Sequence, residues 1–111
     1  MSEVLKELAT VLEQRKLASS ENSYVASLYE QGLRKILQKV EEETQETVDA
    51  AKKCNSTNEE TKSAVIHETA DLWFHTLVML SYLDLGPGQV LEELEKRFNI
   101  SGLEEKASRH N

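Results

Sequence analysis

The sequence predicts an all-α fold, an antiparallel bundle of four to five helices in one domain that covers residues 1–111. The first reason is composition, because the 111 residues include only one proline and four glycines, so few positions interrupt a helix. The second is that apolar residues recur at helical spacing in several segments. The third is a pair of acidic motifs on the two longest segments, Glu43-x-x-Glu46 and Glu68-x-x-Asp71, each with both members on one helix face.

Charge and cysteine content exclude several functional classes. The net charge of −7 argues against general binding to nucleic acid or to an anionic membrane. The longest apolar run, Leu72 to Leu83, is far shorter than the ~20 residues that span a membrane. Cys54 is the only cysteine, which excludes a disulfide within the chain, and the N-terminus lacks a signal-peptide pattern. We therefore expect a cytoplasmic protein.

Two short helices are predicted at the start of the chain. Apolar residues at helical spacing predict the first over 3–15. Ser23 is a plausible N-cap for the second, which is expected from 24 to about 31. Gly32 then interrupts the pattern, as a joint between helices does.

The first long helix is predicted over 33–53. Glu43 and Glu46 are expected along one edge of its inward stripe, whereas Glu41 should face solvent. An acid-rich helix is most often simply solvated, so this motif alone is weak evidence for a site. The predicted inward stripe consists of Leu33, Ile36, Leu37, Val40, Thr44, Thr47 and Ala51.

The second long helix is predicted over 58–83 and is expected to open with a capping box at Thr57-x-x-Glu60. Apolar residues cover nearly its whole circumference, so we expect burial between its own chain and a second subunit of a homodimer. Glu68 and Asp71 are expected to be buried as a pair, and buried carboxylates require a partner.

The C-terminal part is predicted to contain one more helix and a short final turn. Glycine and proline at 85–88 stop the second long helix, and an amphipathic pattern predicts a helix over 89–98. A second capping box begins at Ser101, and Lys106 and Arg109 share one face of the turn that follows it.

The two acidic motifs meet if the chain turns back near Thr57. Glu46 then lies level with Glu68, and Glu43 with Asp71. Four carboxylates at one height repel one another unless they hold a proton or a cation. A hard divalent metal is the natural occupant, and an all-oxygen site favours Mg²⁺, with Mn²⁺ as the alternative.

Other metal chemistries have less support in the sequence. A di-iron bundle requires Glu-x-x-His on two helices, but Ala64 and Leu72 precede His67 and His75 by three residues. No Cys/His set has zinc spacing, and no glycine-rich phosphate loop follows a strand. His75 is expected to be a core histidine with satisfied hydrogen bonds.

Several stretches of the sequence carry a family resemblance. EETQE at 42–46 and ETAD at 68–71 match the pattern Glu-Glu-x-x-Glu followed by Glu-x-x-Asp. SYVASLYEQGLRKILQKV at 23–40, ADLWFHTLVML at 70–80 and SGLEEKASR at 101–109 extend the match. The chain thereby resembles the phosphoribosyl-ATP pyrophosphohydrolases, a branch of the MazG-like all-α nucleotide pyrophosphohydrolases.

The resemblance implies hydrolysis of phosphoribosyl-ATP to phosphoribosyl-AMP and pyrophosphate, the second step of histidine biosynthesis. It further implies that Mg²⁺ is bound by four carboxylates, those of Glu43, Glu46, Glu68 and Asp71. Glu42 would position or deprotonate the attacking water, so that Glu42 and Glu43 are the catalytic pair. The candidate contacts to the nucleotide substrate are Arg15, Lys16, Ser23, Tyr24, Lys35, Lys39, Lys106 and Arg109.

Two positions depart from the family pattern, and two other functions stay open. Glu41 stands where glycine is usual but faces away from the cluster, so no loss of activity is expected. His67 stands where an acid is common and is expected to tune the site slightly. The open alternatives are a MazG-like enzyme for other nucleoside triphosphates and a non-enzymatic helical interaction module.

Overall fold

Helices account for nearly all of the chain that the structure describes. The computed structural model describes residues 3–98, and these contain helices but no strand. The all-α class is thus confirmed, whereas the predicted final turn, with Lys106 and Arg109, lies outside the described residues. The elements are α1 (Glu3–Gln14), a 3-10 turn (Arg15–Leu17), α2 (Tyr24–Gln31), α3 (Leu33–Lys53), α4 (Glu59–Tyr82) and α5 (Pro87–Phe98).

The α3–α4 hairpin is the frame on which the other helices pack. The two helices contact each other more extensively than any other pair of elements in the described chain. The Thr47 hydroxyl donates to the Glu43 carbonyl of its own helix at 2.7 Å and lies 3.1 Å from the Glu68 carbonyl of α4. This contact sets the register of the hairpin and places Glu68 beside the first acidic motif.

Asparagine side chains close the turn between α3 and α4. Asn58 Oδ1 accepts from the backbone N–H groups of Glu60 at 2.9 Å and Thr61 at 3.3 Å. Thr57 instead donates its N–H and its hydroxyl to Asn55 Oδ1. The predicted capping box at Thr57 is therefore wrong, because the Asx turn at Asn55 engages Thr57 and Asn58 caps the helix one residue later.

The joint between α2 and α3 follows the prediction. Ser23 Oγ accepts from the Ala26 N–H at 3.1 Å and so caps α2. Gly32 has φ of 92°, in the region that favours glycine, and its N–H donates to the Leu28 carbonyl at 3.0 Å. The chain can therefore end one helix and begin the next at a single residue.

The end of α4 is closed differently from the prediction. Asp84 adopts φ of 60°, and the Leu85 N–H donates to the Leu80 carbonyl at 2.8 Å. The Asp84 N–H donates to the Ser81 carbonyl at 3.0 Å, which completes a Schellman motif without glycine. Pro87 does not stop a helix but starts α5, two residues before the predicted boundary, because proline suits the first turn.

A small core lies where α1, α2, α3 and α4 meet. Its fully buried side chains are Leu12, Leu28, Ile36 and Val78. The Tyr29 hydroxyl adds a tie across the core by donating to the Leu12 carbonyl at 3.0 Å.

The inward face of α3 is rotated relative to the predicted stripe. Ile36 is buried as expected, but Leu37, Thr44 and Ala51 are exposed, and Glu43 is buried in their place. Glu43 lies seven residues after Ile36, which puts both on one helix face. The angular spacing of the apolar residues places Glu43 at the edge of the predicted stripe, whereas the packing of α3 on α4 puts it inside.

The surface of α4 keeps large apolar side chains exposed. Ile66 is 70% exposed and Trp73 is 63% exposed in the single chain. The helices of the described chain cover only part of α4, and the expected burial of the rest against a second subunit stays a prediction. None of the helices between residues 3 and 98 has the length and apolar character needed to cross a membrane.

Candidate metal centre and substrate site

Glu43 is the most buried carboxylate of the described chain. It retains 5% of its accessible surface, and its Oε2 has no hydrogen-bond partner among the described residues. Its Oε1 lies 3.8 Å from Lys39 Nζ. Burial raises the pKa of Glu43 and the adjacent Glu46 raises it further, while Lys39 opposes both effects. A buried carboxylate oxygen with no partner favours the approach of a cation or a proton.

Glu43, Glu46 and Glu68 form the first acidic group. One oxygen from each lies within 4.8 Å of the others. The Glu68 Oε2 atom is also buried without a hydrogen-bond partner in the described structure. The neighbouring Glu46 carboxyl is the main cause that raises the pKa of Glu68, ahead of burial. The predicted pairing of Glu46 with Glu68 across the hairpin is thus confirmed in its geometry.

Asp71 joins a second group, which shares Glu68 with the first. His67, Glu68 and Asp71 each offer a ligand atom within 4.8 Å of the other two. The Asp71 charge also raises the pKa of Glu43, although it is a smaller cause than burial and Glu46. The four predicted carboxylates therefore lie together as two overlapping groups rather than one tight cluster.

The degree of burial differs from the expectation for this site. The Glu68 side chain is 22% exposed and that of Asp71 is 42% exposed, so they are not a buried pair. Glu43 occupies the buried position instead. An acid-rich helix ordinarily exposes its carboxylates to solvent, and the buried Glu43 is what distinguishes this hairpin from such a helix.

Glu42 lies outside both acidic groups and is held by two neighbours. Lys39 Nζ is 3.0 Å from Glu42 Oε2, and Gln38 Nε2 donates to Glu42 Oε1 at 3.1 Å. The hydrogen bond from Lys39 holds the pKa of Glu42 below its usual range. Glu42 is therefore an exposed, ionised carboxylate one residue from the buried one, and Lys39 lies between them.

Tyr24 is connected to the acidic motif of α4 through a buried histidine. His75 Nε2 lies 2.8 Å from the Tyr24 hydroxyl, and His75 Nδ1 lies 2.8 Å from the Asp71 carbonyl. Because a carbonyl only accepts, Nδ1 carries the proton and Nε2 accepts from Tyr24. The prediction of a core histidine with satisfied hydrogen bonds is confirmed.

The bond between Tyr24 and His75 was not foreseen from the sequence. The two residues are 51 positions apart, and no periodic pattern connects them. The available signal was that a buried imidazole needs two partners, and Tyr24 is the nearby aromatic hydroxyl. Burial raises the pKa of Tyr24, the charge of Lys39 lowers it, and the charge of Glu43 raises it. The half-exposed Tyr24 ring therefore lies at the border of the acidic groups.

The comparison with known protein families agrees with this site. A family model for phosphoribosyl-ATP pyrophosphohydrolase matches residues 5–98. The chain belongs to the phosphoribosyl-ATP pyrophosphohydrolase family. The match confirms the resemblance seen in the sequence and includes both acidic motifs, Tyr24 and Lys39. Membership makes the chain an enzyme, a hydrolase that acts on phosphoric anhydrides, and it removes the non-enzymatic interaction module from consideration.

Among the described residues, the cations predicted to contact the phosphoribosyl-ATP substrate divide into two sets. Lys39 contacts both Glu42 and Glu43 and so lies at the acidic site. The charge of Lys35 lowers the pKa of Glu42 slightly, which places Lys35 nearer to Glu42 than to the acidic groups. Lys16 instead pairs with Glu13 at 3.1 Å and with Asp84 at 3.0 Å.

Position along the helices separates the second set from the acidic site. Asp71 lies near the middle of α4, and this helix ends at Tyr82, roughly 16 Å farther along its axis. Asp84 follows just beyond Tyr82, so Lys16 is held near the C-terminal end of α4. Arg15 precedes Lys16 in the same 3-10 turn and is exposed. The Ser23 hydroxyl serves α2 as its cap. Direct contacts from Arg15, Lys16 and Ser23 to the substrate of this pyrophosphohydrolase family remain predictions.

Proposed function

We propose that this chain hydrolyses phosphoribosyl-ATP to phosphoribosyl-AMP and pyrophosphate with Mg²⁺ or Mn²⁺, as the second step of histidine biosynthesis. Family membership supports the substrate. The observation that carries the metal requirement is the partnerless Glu43 oxygen, buried beside Glu46 and Glu68. A general acidic surface would leave such an oxygen in water.

The donor set fits a hard divalent cation. All ligand atoms of the first group are carboxylate oxygens, and they lie within 4.8 Å of one another. Oxygen-only sets of this kind suit Mg²⁺ and Mn²⁺. When bound, the cation would be held by Glu43, Glu46 and Glu68, with Asp71 adjoining, and would neutralise charge on the triphosphate.

The remaining residues of the site supply binding and proton chemistry. Glu42 is ionised and exposed beside the buried acid, so it can orient a water molecule and accept its proton. Hydrolysis then adds that water across the anhydride bond between the α- and β-phosphates. Lys39 and Lys35 provide positive charge for the phosphates at the same edge. Tyr24, fixed by His75, borders the space that the nucleotide would occupy.

We also propose that the chain acts as a homodimer. An apolar groove runs between α1, α4 and α5, and its lining includes Leu5, Trp73, Leu77, Leu80 and Leu94. Trp73 is 63% exposed there in the single chain. Exposed apolar surface of this kind supports a subunit interface in a protein of this size.

The experiment that tests the function measures pyrophosphate release from phosphoribosyl-ATP and from a panel of ordinary nucleoside triphosphates. Each substrate is assayed with Mg²⁺, with Mn²⁺ and with EDTA. We expect release from phosphoribosyl-ATP in either metal and none in EDTA. A preference for an ordinary triphosphate would assign the chain to other MazG-like substrates, and full activity in EDTA would contradict the metal requirement.

A further inference from the structure

A histidine borders the outer side of the acidic site. His67 Nε2 lies 3.4 Å from Asp71 Oδ2 and 3.9 Å from Glu68 Oε1. His67 and Asp71 are four residues apart on α4 and so share one helix face. An imidazole and a carboxylate at this spacing can bind one ion, as paired helix ligands do in many metal sites.

The surrounding charge distinguishes this arrangement from a simple surface ion pair. Glu68 belongs both to the group with His67 and to the group with Glu43. Glu43 is more than nine-tenths buried, and its Oε2 has no hydrogen-bond partner among the described residues. One carboxylate oxygen of Glu43 belongs to the group that shares Glu68. Lys39 is the cation in contact with Glu43 among the described residues. Four adjoining carboxylates therefore leave negative charge that one lysine does not balance.

We propose that His67 supplies a nitrogen ligand, together with Glu68 and Asp71, to a divalent transition ion such as Co²⁺, Ni²⁺ or Cu²⁺. The proposal rests on the acidic metal site of the proposed function and adds a ligand to its outer edge. Imidazole suits these ions, whereas Mg²⁺ prefers oxygen ligands and water. His67 thereby makes the site select among metals, favouring transition ions over Mg²⁺.

The chain offers few competing nitrogen ligands. It contains three histidines, which are His67, His75 and His110. Both ring nitrogens of His75 are already engaged, with Tyr24 and with the Asp71 carbonyl. A metal-bound imidazole detected in this protein can therefore be assigned by changing His67 and, as the matched control, His110.

The test is metal binding to the nucleotide-free protein, so it does not depend on turnover. Wild type, His67→Gln and His110→Gln are titrated with Mg²⁺ and with Co²⁺ by calorimetry. Pulsed EPR of the Cu²⁺-loaded proteins then reports coupling to ¹⁴N. The His67 side chain is 73% exposed, so its replacement leaves the core intact, and circular dichroism checks this.

The expected result separates the two metals. His67→Gln should weaken Co²⁺ binding by at least about tenfold, since even partners outside the ligand set cost 10- to 100-fold. Mg²⁺ affinity should change by less than about twofold, because an oxygen-selective ion gains little from imidazole. The ¹⁴N coupling should be present in wild type and His110→Gln and absent in His67→Gln.

Three outcomes would overturn the proposal. These are ¹⁴N coupling that persists in His67→Gln, coupling that is absent from wild type, or equal losses of Mg²⁺ and Co²⁺ affinity in that variant. The assay of pyrophosphate release tests the proposed function separately from metal binding. If phosphoribosyl-ATP is not hydrolysed but the nitrogen signal depends on His67, only the function is wrong.

Discussion

At the scale of single residues, Glu43 is the buried carboxylate of the described chain, and its burial disfavours the charged form. Its burial, the proximity of Glu46 and the charge of Asp71 all disfavour its ionised form, and Lys39 offsets only part of this. The folded state nevertheless buries this carboxylate, because Glu43 lies on the α3 face that packs against α4. A site with this unbalanced charge is prepared to bind a cation.

The first prediction at this scale concerns pH and the metal-free fold. The pKa of Glu43 is raised in the folded state, so its contribution to stability is present below the ordinary glutamate pKa. That contribution is lost as pH rises through the raised value. Glu43→Gln, which stays neutral, should match wild type at about pH 4 and exceed its free energy of unfolding at about pH 8.

The measurement is urea denaturation of both proteins in EDTA at the two pH values. The comparison cancels the titrating groups that do not interact with Glu43, since both proteins share them. A stability advantage of Glu43→Gln that shrinks as pH rises would show that the burial of Glu43 does not raise its pKa.

A second prediction concerns turnover. Replacing Glu43, Glu46, Glu68 or Asp71 by its amide keeps the shape but removes metal-binding charge. Each variant should lose at least ~100-fold in rate, which corresponds to ~2.7 kcal/mol of transition-state stabilisation. Glu41→Gln is the control, because Glu41 is an exposed acid on the same helix. Pyrophosphate release at subsaturating Mg²⁺ gives the rates, and a residue whose amide retains the wild-type rate is not a ligand.

The sequence predicts the residues of this site better than their surroundings. The i, i+3 spacing and the position of the turn were enough to bring Glu46 to Glu68. They could not show that Glu43 is the buried acid, because burial depends on the rotation of α3 against α4. Nor could they show the Tyr24–His75 bond or the pairing of Lys16 with Asp84, since each joins distant parts of the chain.

At the scale of elements, the α3–α4 hairpin determines whether the two acidic motifs meet. The Thr47 hydroxyl, 3.1 Å from the Glu68 carbonyl, fixes the register in the middle of the hairpin, and the capped turn fixes it at the end. Periodicity and breakers predicted the bounds of α2 and α3 correctly. They failed at the start of α4, because Thr57 and Asn58 are both good caps and only the folded turn decides between them.

The prediction at this scale compares those two residues. Asn58 Oδ1 accepts two backbone N–H groups at the start of α4, so Asn58→Ala should lower the free energy of unfolding by about 1 kcal/mol. Thr57→Ala should cost less, because Thr57 bonds only to Asn55 within the turn. Urea denaturation of the two variants measures both costs. A larger loss in Thr57→Ala would restore the capping box that the structure excludes.

At the scale of the whole molecule, the chain buries a small core and leaves apolar surface on α4 exposed. Four large aliphatic side chains are fully buried, whereas Trp73 and Ile66 remain open to solvent in the single chain. The sequence predicted the apolar circumference of α4 but could not show which part its own chain covers. A second copy of the chain would cover the remainder.

The prediction for the whole molecule is therefore its mass in solution. Light scattering at micromolar concentration should give twice the chain mass of 12.6 kDa. Trp73→Glu places a charge in the apolar groove and should shift the protein toward the monomer. A monomer mass for wild type would contradict the proposed dimer.

The measurement that tests the central claim most directly is a thermal melt of wild type and Glu68→Gln, with Glu41→Gln as the control. Each is melted in EDTA, in saturating Mg²⁺ or Mn²⁺, and in metal with a non-hydrolysable ATP analogue. Binding at a hundredfold excess over Kd stabilises the folded state by about 2.7 kcal/mol, or roughly 10 °C or more in Tm.

If the shared carboxylates hold the metal, wild type and Glu41→Gln should show this shift. Mg²⁺ gives up water reluctantly and so can bind weakly without nucleotide. The Tm shift with Mg²⁺ alone is then a few degrees, and the nucleotide analogue should enlarge it. Glu68→Gln should show a smaller shift and, in EDTA, a Tm at or above that of wild type, because one repulsive charge is gone. Equal shifts in wild type and Glu68→Gln would mean that the metal binds elsewhere, which contradicts the assignment of the site to these carboxylates.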